Sequence, residues 1–385
     1  MPSTPPPLAP SAGPPGHGRA AAAEPLATAT DDAPLDDAPP GTPSADAPPG
    51  DASRADAPPP SDAPPDGPAP ADAAPPGSPF DAALGDDELV AARAALTQGR
   101  WQVARNLLAR TRDDWDSRGH RITVLAQEPR AADRAREWLL AEPGAPDASV
   151  LLALALVRRA LRGDEPPDAA RAACADGAAL LPADPTPWLG LLMLERALGA
   201  EKDVLRAFTE VRERYADHHH AHHLMIARLA EHAAGDGPAP LHEVYDFAEG
   251  AALAAPADSP LALLPVVALA ERYRVLAAAG FEPADPAASV HWTGSRARQI
   301  MKAAFDWWLE WDDDDHPRRH VDLNFLAHAT YCEGQNAEAA TLFRRIGPHA
   351  TPDPWCYPDR DPYPAFRAAR AAVLRPPRST PRTAP

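Results

Sequence analysis

The chain of 385 residues contains 50 prolines and has a formal net charge of −18 at pH 7, from 37 basic and 55 acidic residues. So many prolines cannot all lie inside one compact fold, and part of the chain is therefore predicted to be unfolded. The acidic balance and the dispersed arginines disfavour nucleic acid and an anionic membrane surface as partners, because phosphate binding requires a basic stripe. Lys202 and Lys302 are the only lysines, an arginine bias that is typical of a high-GC bacterial genome.

Residues 1–80 form the first predicted segment, a disordered tail. They hold 24 of the 50 prolines and eleven acidic residues against two basic ones. Such a composition buries too little apolar surface to offset the entropy of ordering the chain. The repeated letters DAPP predict an extended, self-repelling linker. A second, short disordered tail is predicted over residues 376–385.

No recognisable targeting signal is seen in the sequence, which favours a cytoplasmic protein. The first ten residues, MPSTPPPLAP, contain neither the basic nor the apolar region of a secretory signal. The longest apolar run, Val150–Val157, is too short to cross a bilayer. Cys174, Cys332 and Cys356 form no CxxC motif and are interpreted as reduced thiols.

Residues 81–375 are predicted to form one all-α domain. Alanine and leucine recur at spacings of three and four residues, and runs of β-branched residues are nearly absent. Proline and glycine clusters at Gly163–Asp168, Gly235–Pro240 and Phe281–Pro286 separate the predicted helices. About eleven to fourteen short helices in sequence predict antiparallel helix pairs.

Three windows resemble the tetratricopeptide repeat (TPR), in which a glycine turn joins two helices that pack through small and aromatic residues. In each window the glycine is followed five residues later by Ala or Val and nine residues later by Leu or Phe. The windows contain Ala92, Ala95, Gly99, Trp101, Ala104 and Leu108; Trp188, Leu191, Gly199, Val204, Phe208 and Val211; and Leu326, Ala327, Gly334, Ala339, Phe343 and Ile346. The shared phase predicts a TPR-like α-solenoid.

Several shorter motifs resemble an uncharacterised family of TPR-like proteins from high-GC Gram-positive bacteria. They are Ala183–Trp188, His218 with Ala221 and His222, His242 and Glu243 with Phe247 and Ala248, Ser259–Leu261, Glu271–Tyr273, and Pro354 with Trp355. The likeness spans roughly residues 85–370. A Lys-Trp-Gly-Gly-Ser-like turn expected between the two histidine motifs is replaced by Gly235–Pro240. The resemblance implies a helical repeat fold and supplies no activity.

The stretch DHHHAHH, residues 217–223, is the first candidate site. Asp217 is predicted to cap a helix that continues to about Ala233. His218 and His222 are then expected on its buried stripe, one turn apart, whereas His219, His220 and His223 face the edge or water. An i,i+4 pair of histidines can chelate a metal only with a third ligand from elsewhere, so a metal site at His218 and His222 stays an alternative to a packing role.

His242 and Glu243 are the nearest candidates for additional ligands. They open the next predicted helix, and an antiparallel arrangement places them beside His232. The intervening helix is about 21 Å long, so we expect them at the opposite end of the pair from His218 and His222.

The stretch WWLEWDDDDH, Trp307–His316, is the second candidate. An aspartate run after aromatic residues resembles the Mg²⁺-binding motif of class I terpene synthases. The position four residues after Asp312 is His316, however, and Pro317 interrupts the helix. The run Asp312–Asp315 is therefore interpreted as a solvated helix end, and the neighbouring tryptophans as mainly core.

The sequence favours a non-catalytic scaffold or adaptor that binds a protein or peptide on the concave face of a TPR-like array, without a cofactor. Its predicted ligand-contacting residues are Trp188, Leu192, His218, His222, His242, Glu243 and Glu271. The alternative is a metal-dependent enzyme in the groove around His218 and His222 or around Asp312–Asp315.

Overall fold

The structure, a computed structural model, describes residues 80–232, 242–311 and 315–375. Within these ranges there are fifteen α-helices and no β-strand. The helices are α1 (Asp87–Thr97), α2 (Trp101–Thr111), α3 (Trp115–Leu125), α4 (Ala131–Ala141), α5 (Pro146–Leu161), α6 (Pro167–Leu180), α7 (Thr186–Leu198), α8 (Glu201–Arg214), α9 (His219–Glu231), α10 (Glu243–Ala254), α11 (Leu264–Ala278), α12 (Ser295–Glu310), α13 (Arg319–Glu333), α14 (Asn336–Ile346) and α15 (Pro362–Leu374). Short 3₁₀ helices span Pro260–Leu263, Pro286–Ala288 and Val290–Thr293.

Local sequence signals explain many of the helix boundaries. Asp86 caps α1 by accepting a hydrogen bond from the backbone N–H of Leu89 at 2.9 Å. Pro146 and Pro167 occupy the first turns of α5 and α6, where the missing N–H costs no helical hydrogen bond. Gly334 ends α13 in the left-handed region, at φ 91°.

The all-helical prediction is confirmed, and each of the three glycine-centred windows spans two consecutive helices that contact each other. These are α1 with α2, α7 with α8, and α13 with α14. Ala104, Phe208 and Phe343 are buried where the pattern places small and aromatic packing residues.

The odd-numbered helices form a continuous layer. From α1 to α13 each odd-numbered helix contacts the next odd-numbered one, whereas the even-numbered helices pack mainly against their neighbours in sequence. In addition, α3 contacts α5, α7 and α9, which brings distant parts of the chain together. The two ends of the described domain also meet, because the ring of Phe80 packs edge-on against Tyr363 with 6.0 Å between ring centroids.

Several sequence-based expectations need correction. The number of helices is fifteen among the described residues, above the predicted range, because the first four helices are only 11 residues long. The N-cap of α9 is His218 instead of Asp217. The predicted tails, apart from Phe80, and the break at Gly235–Pro240 lie outside the described residues. Among the described helices none combines the length and apolar character needed to cross a membrane.

Candidate functional site

A cavity of about 700 Å³ is lined mainly by residues of the odd-numbered helices. Each odd-numbered helix from α3 to α13 contributes at least one residue to its wall: His120, Arg158, Arg196, His223, Arg274 and Phe325, in chain order. Residues 80–84 and the segment 350–358 complete the wall. This volume falls within the roughly 300–1,000 Å³ typical of small-molecule sites.

Two of the four arginines at this wall are paired with glutamates. Arg196 and Arg274 both contact Glu231, at 2.6 and 2.8 Å, and Arg274 also contacts Glu271 at 2.7 Å. Glu271 in turn accepts a hydrogen bond from the hydroxyl of Tyr357. Their charges are therefore largely compensated within the protein.

The other two arginines, Arg158 and Arg318, have no such partner. Among the described residues neither guanidinium makes a hydrogen bond or an ion pair, and the Nε atom of each is buried. Burial lowers the pKa of Arg158, and the nearby Arg162 lowers it further. Burial also lowers the pKa of Arg318, against the longer-range attraction of Asp322 and other carboxylates. Both groups nevertheless stay charged at neutral pH, so two cations without a direct ion-pair partner in the described part of the chain line one cavity.

Two histidines add polar atoms to the cavity wall. His120 is 4% exposed, is hydrogen-bonded to the backbone of Ala83, and leaves Nε2 buried without a partner. Burial lowers its pKa to about 3, because the charged ring would be poorly solvated there. His220 also lines the cavity, and burial holds its pKa well below the usual value. Both rings are therefore neutral at pH 7, and each can donate or accept one hydrogen bond to a ligand.

Behind this wall, a buried network fixes the start of α9. Asp116, in the first turn of α3, accepts a hydrogen bond from the backbone N–H of His219 at 3.0 Å. The same carboxylate lies 3.4 Å from Nδ1 of His218 and 3.3 Å from Nε2 of His316. Burial alone would raise the pKa of Asp116, but the surrounding histidines hold it well below its usual range.

His219, His223 and Asp322 form a second buried cluster beside this network. Nε2 of His219 lies 2.8 Å from Oδ2 of Asp322, and Nε2 of His223 lies 3.1 Å from Oδ1. The three candidate ligand atoms lie within 4.8 Å of one another. Burial lowers the pKa of His219 to about 3, against the attraction of Asp322. Two imidazoles and a carboxylate are a ligand set that zinc and non-haem iron both accept.

No protein-family model, curated protein or solved structure matches this chain. The resemblance to TPR-like proteins therefore stays a prediction.

The predicted contact residues on α7 and α9 do not meet at a ligand surface. Leu192 is completely buried, and Trp188 is half-buried beneath the guanidinium of Arg214, 5.0 Å from its ring centroid. His218 is 0% exposed and His222 is 3% exposed. These side chains pack into the interior and do not line the cavity described above, so their role as ligand contacts stays a prediction.

The alternative metal pair, His218 and His222, makes other contacts in this structure. Nδ1 of His222 donates to the carbonyl of His218 at 2.9 Å, and the His222 ring packs edge-on against Phe208. The rings expected at the edge or in water, His219 and His223, are buried instead. The reason is that α9 contacts α3, α7, α8, α10 and α11, so it is covered on several faces.

The remaining predicted site residues fall into two places. His242 and Glu243 lie beside His232, as expected: Nε2 of His242 is 3.2 Å from the carbonyl of His232, and Glu243 binds its ring. They are therefore separate from the histidine cluster at the start of α9. Glu271 lines the cavity, where Tyr357 and Arg274 hold its carboxylate.

The second candidate stretch lies only partly within the described residues. Asp312, Asp313 and Asp314 lie outside them, and Asp315 is exposed. Trp308 is buried as predicted for a core residue, Trp307 is half-buried, and Trp311 is 37% exposed.

No separate sequence signal marks Arg158, Arg318 or Asp322 as site residues. Arg158 follows the apolar run of α5, where a basic residue is typical of the last turn of a helix, and Arg318 follows a proline. Asp322 lies 103 residues after His219. Only the contacts between distant helices identify these residues as parts of a site.

Proposed function

We propose that this protein is a non-catalytic binding protein whose ligand is a small anion with carboxylate or phosphate groups, held in the inner cavity. The observation that carries this proposal is that Arg158 and Arg318 line the same cavity, each with a buried Nε atom that has no hydrogen-bond partner among the described residues. Both side chains are partly buried and therefore incompletely solvated, and a ligand anion would offset this cost while forming charge-assisted hydrogen bonds.

Asp81 and Asp353 also line the cavity and would repel an anion close to them, but other parts of the wall fit the same ligand class. Neutral His120 and His220 supply hydrogen-bonding atoms, and Phe325 and Tyr357 supply apolar surface. Most small-molecule sites combine an apolar wall with a few convergent polar groups in this way. We further propose that the helices form TPR-like antiparallel pairs in a solenoid, which the contacts between consecutive helices support. In that arrangement the cavity lies on the concave side, so a protein or peptide partner would reach it only through an extended acidic segment.

The test uses the purified full-length protein in isothermal titration calorimetry with citrate, inorganic phosphate and a short acidic peptide, and glycerol as a neutral probe. Arg158→Gln removes one uncompensated charge. It should weaken binding of the preferred anion by roughly 10- to 150-fold, since a hydrogen bond to a charged group contributes about 1.5–3 kcal/mol.

Arg162→Gln is the matched control, because Arg162 is an exposed residue at the C-terminal end of the same helix. It should leave the affinity unchanged apart from a small salt-dependent change. If no anion binds, or if both variants bind equally well, the proposal is wrong. If only the peptide binds in an Arg158-dependent manner, the peptide-binding prediction replaces the small-anion proposal.

A further inference from the structure

The cluster of His219, His223 and Asp322 differs from ordinary buried hydrogen-bonding groups. The exposed fractions of these side chains are 0%, 8% and 2%. His219 and His223 lie one turn apart on α9, with 4.3 Å between their ring centroids. Asp322, in the first turn of α13, faces both rings, so three potential metal ligands from two helices converge.

The hydrogen bonding within this cluster is incomplete. His219 donates to Oδ2 of Asp322, which satisfies one carboxylate oxygen. Nε2 of His223 and Oδ1 of Asp322 are 3.1 Å apart but are not aligned for a hydrogen bond, and both atoms are buried without a hydrogen-bond partner. Buried polar atoms are rarely left unsatisfied, because each one costs about 1–3 kcal/mol. A cation between the two atoms would satisfy both.

We propose that His219, His223 and Asp322 bind one divalent transition-metal ion, of the Zn²⁺ or Fe²⁺ class. At metal–ligand distances of about 2.1 Å, ligand atoms lie about 3.0–3.4 Å apart at octahedral or tetrahedral angles. Nε2 of His223 lies 3.1 Å from Oδ1 of Asp322, within this range, and Nε2 of His219 lies 2.8 Å from Oδ2 of the same carboxylate. One ligand atom from each of the three residues lies within 4.8 Å of the other two, so closure around one ion requires only side-chain shifts of about an ångström. Two imidazole nitrogens select such a metal over Mg²⁺ or Ca²⁺, which prefer oxygen ligands.

The charges around the cluster are compatible with a cation. Asp322 and Asp116 contribute two negative charges, and Arg318 contributes one positive charge that acts on both carboxylates. The two carboxylates outnumber the one guanidinium, so a divalent ion encounters an attractive site. Asp116 also holds the backbone N–H of His219, which fixes the first turn of α9 and with it the orientation of the ligand ring.

The position of the site relates it to the cavity. His223 lies at the cavity wall, whereas His219 and Asp322 lie deeper. Three protein ligands leave at least one coordination position for water or for a bound molecule. The metal site does not rest on the proposed anion-binding function, because Arg158 is not one of its residues.

The experiment titrates EDTA-treated full-length protein with Zn²⁺ by isothermal calorimetry, and with Co²⁺ followed by visible absorption. We expect one equivalent of metal per chain and Co²⁺ absorption bands that report nitrogen and oxygen ligands. His223→Gln should weaken Zn²⁺ binding by more than the roughly 10–100-fold typical of the loss of an outer partner, because it removes a ligand. Asp322→Asn should do the same, and circular dichroism checks that each variant is folded.

His232→Gln is the matched control, since His232 and Glu243 form an exposed histidine–carboxylate pair elsewhere on the protein. It should leave Zn²⁺ affinity unchanged. If the wild type shows no saturable binding, or if folded His223→Gln binds as tightly as the wild type, the proposal is overturned. Arg158→Gln separates the two proposals, because it should weaken anion binding while retaining one equivalent of Zn²⁺.

Discussion

His328 makes the stability of this protein sensitive to acid, and its contribution can be worked out from its surroundings. The ring is 1% exposed and packs edge-on against Trp292 and Trp355, at centroid distances of 5.4 and 5.1 Å. Its hydrogen-bonding neighbour is the sulfur of Cys332 at 3.9 Å, which is a weak partner for a charged ring. Burial lowers the pKa of His328 to about 3, from 6.5 in an unfolded chain.

The sign of the effect follows from proton linkage. The unfolded chain binds a proton near pH 6.5, whereas the folded chain resists protonation down to about pH 3. The contribution of neutral His328 to stability is therefore fully present well above pH 6.5, and it is lost as the pH falls from 6.5 toward 3. Between pH 7.5 and 5.5 this one residue should lower the free energy of unfolding by about 1.4 kcal/mol.

The perturbation is His328→Met, which fills much of the same space without a titrating group. Urea unfolding of EDTA-treated wild type and variant at pH 7.5, 6.5 and 5.5 gives the difference in unfolding free energy at each pH. Whatever the difference at pH 7.5, it should shift by about 1.4 kcal/mol in favour of the variant by pH 5.5.

His232→Gln provides the control, because His232 is exposed and Glu243 raises its pKa. His232 should therefore stabilise the folded chain more at pH 5.5 than at pH 7.5. The free energy of unfolding of His232→Gln, relative to the wild type, should fall as the pH falls, which is the opposite direction from His328→Met. A shift for His328→Met of less than about 0.5 kcal/mol would refute the reasoning, as would a measured pKa of His328 near 6.5 by NMR.

The remaining predictions concern packing and a buried ion pair. Asp184 is 0% exposed and forms an ion pair with Arg118 at 2.8 Å. Asp184→Asn should therefore lower the free energy of unfolding by about 3–5 kcal/mol. The control is Asp133→Asn, which breaks an exposed ion pair and should change the free energy of unfolding by less than about 1 kcal/mol. Chemical denaturation compares the two, and equal effects would contradict the role of burial. A Cβ at Gly190 would lie 2.9 Å from a leucine methyl on α5, so Gly190→Ala should cost about 1–3 kcal/mol. In Gly250→Ala the added methyl meets no atom within 4 Å, and the thermal midpoint should rise, since alanine favours a helix interior by up to about 1 kcal/mol.

The fold class could be read from local patterns. Helical spacing of alanine and leucine, prolines in first turns and glycines between paired helices all act over a few residues, and the structure has helices where these signals place them. The separation of His242 and Glu243 from the histidine run also followed from helix length alone. These inferences needed no knowledge of which helices meet.

The candidate site could not be read in the same way. In the run of residues 218–223, the pairs His218 with His222 and His219 with His223 have the same spacing, so periodicity cannot distinguish them. The choice depends on Asp322 in α13, whose carboxylate oxygens lie within 3.1 Å of the rings of His219 and His223.

The sequence by itself determined that residues 81–375 are helical and where many of the helices begin and end, because backbone hydrogen bonds and capping are local. Only the tertiary structure decided that Leu192 is core, that Arg158 and Arg318 face one cavity, and that His219 meets Asp322. These outcomes arise from the layer of odd-numbered helices and from the meeting of the two ends of the domain. Such long-range contacts depend on the packing of all the intervening helices, which no short stretch of sequence specifies.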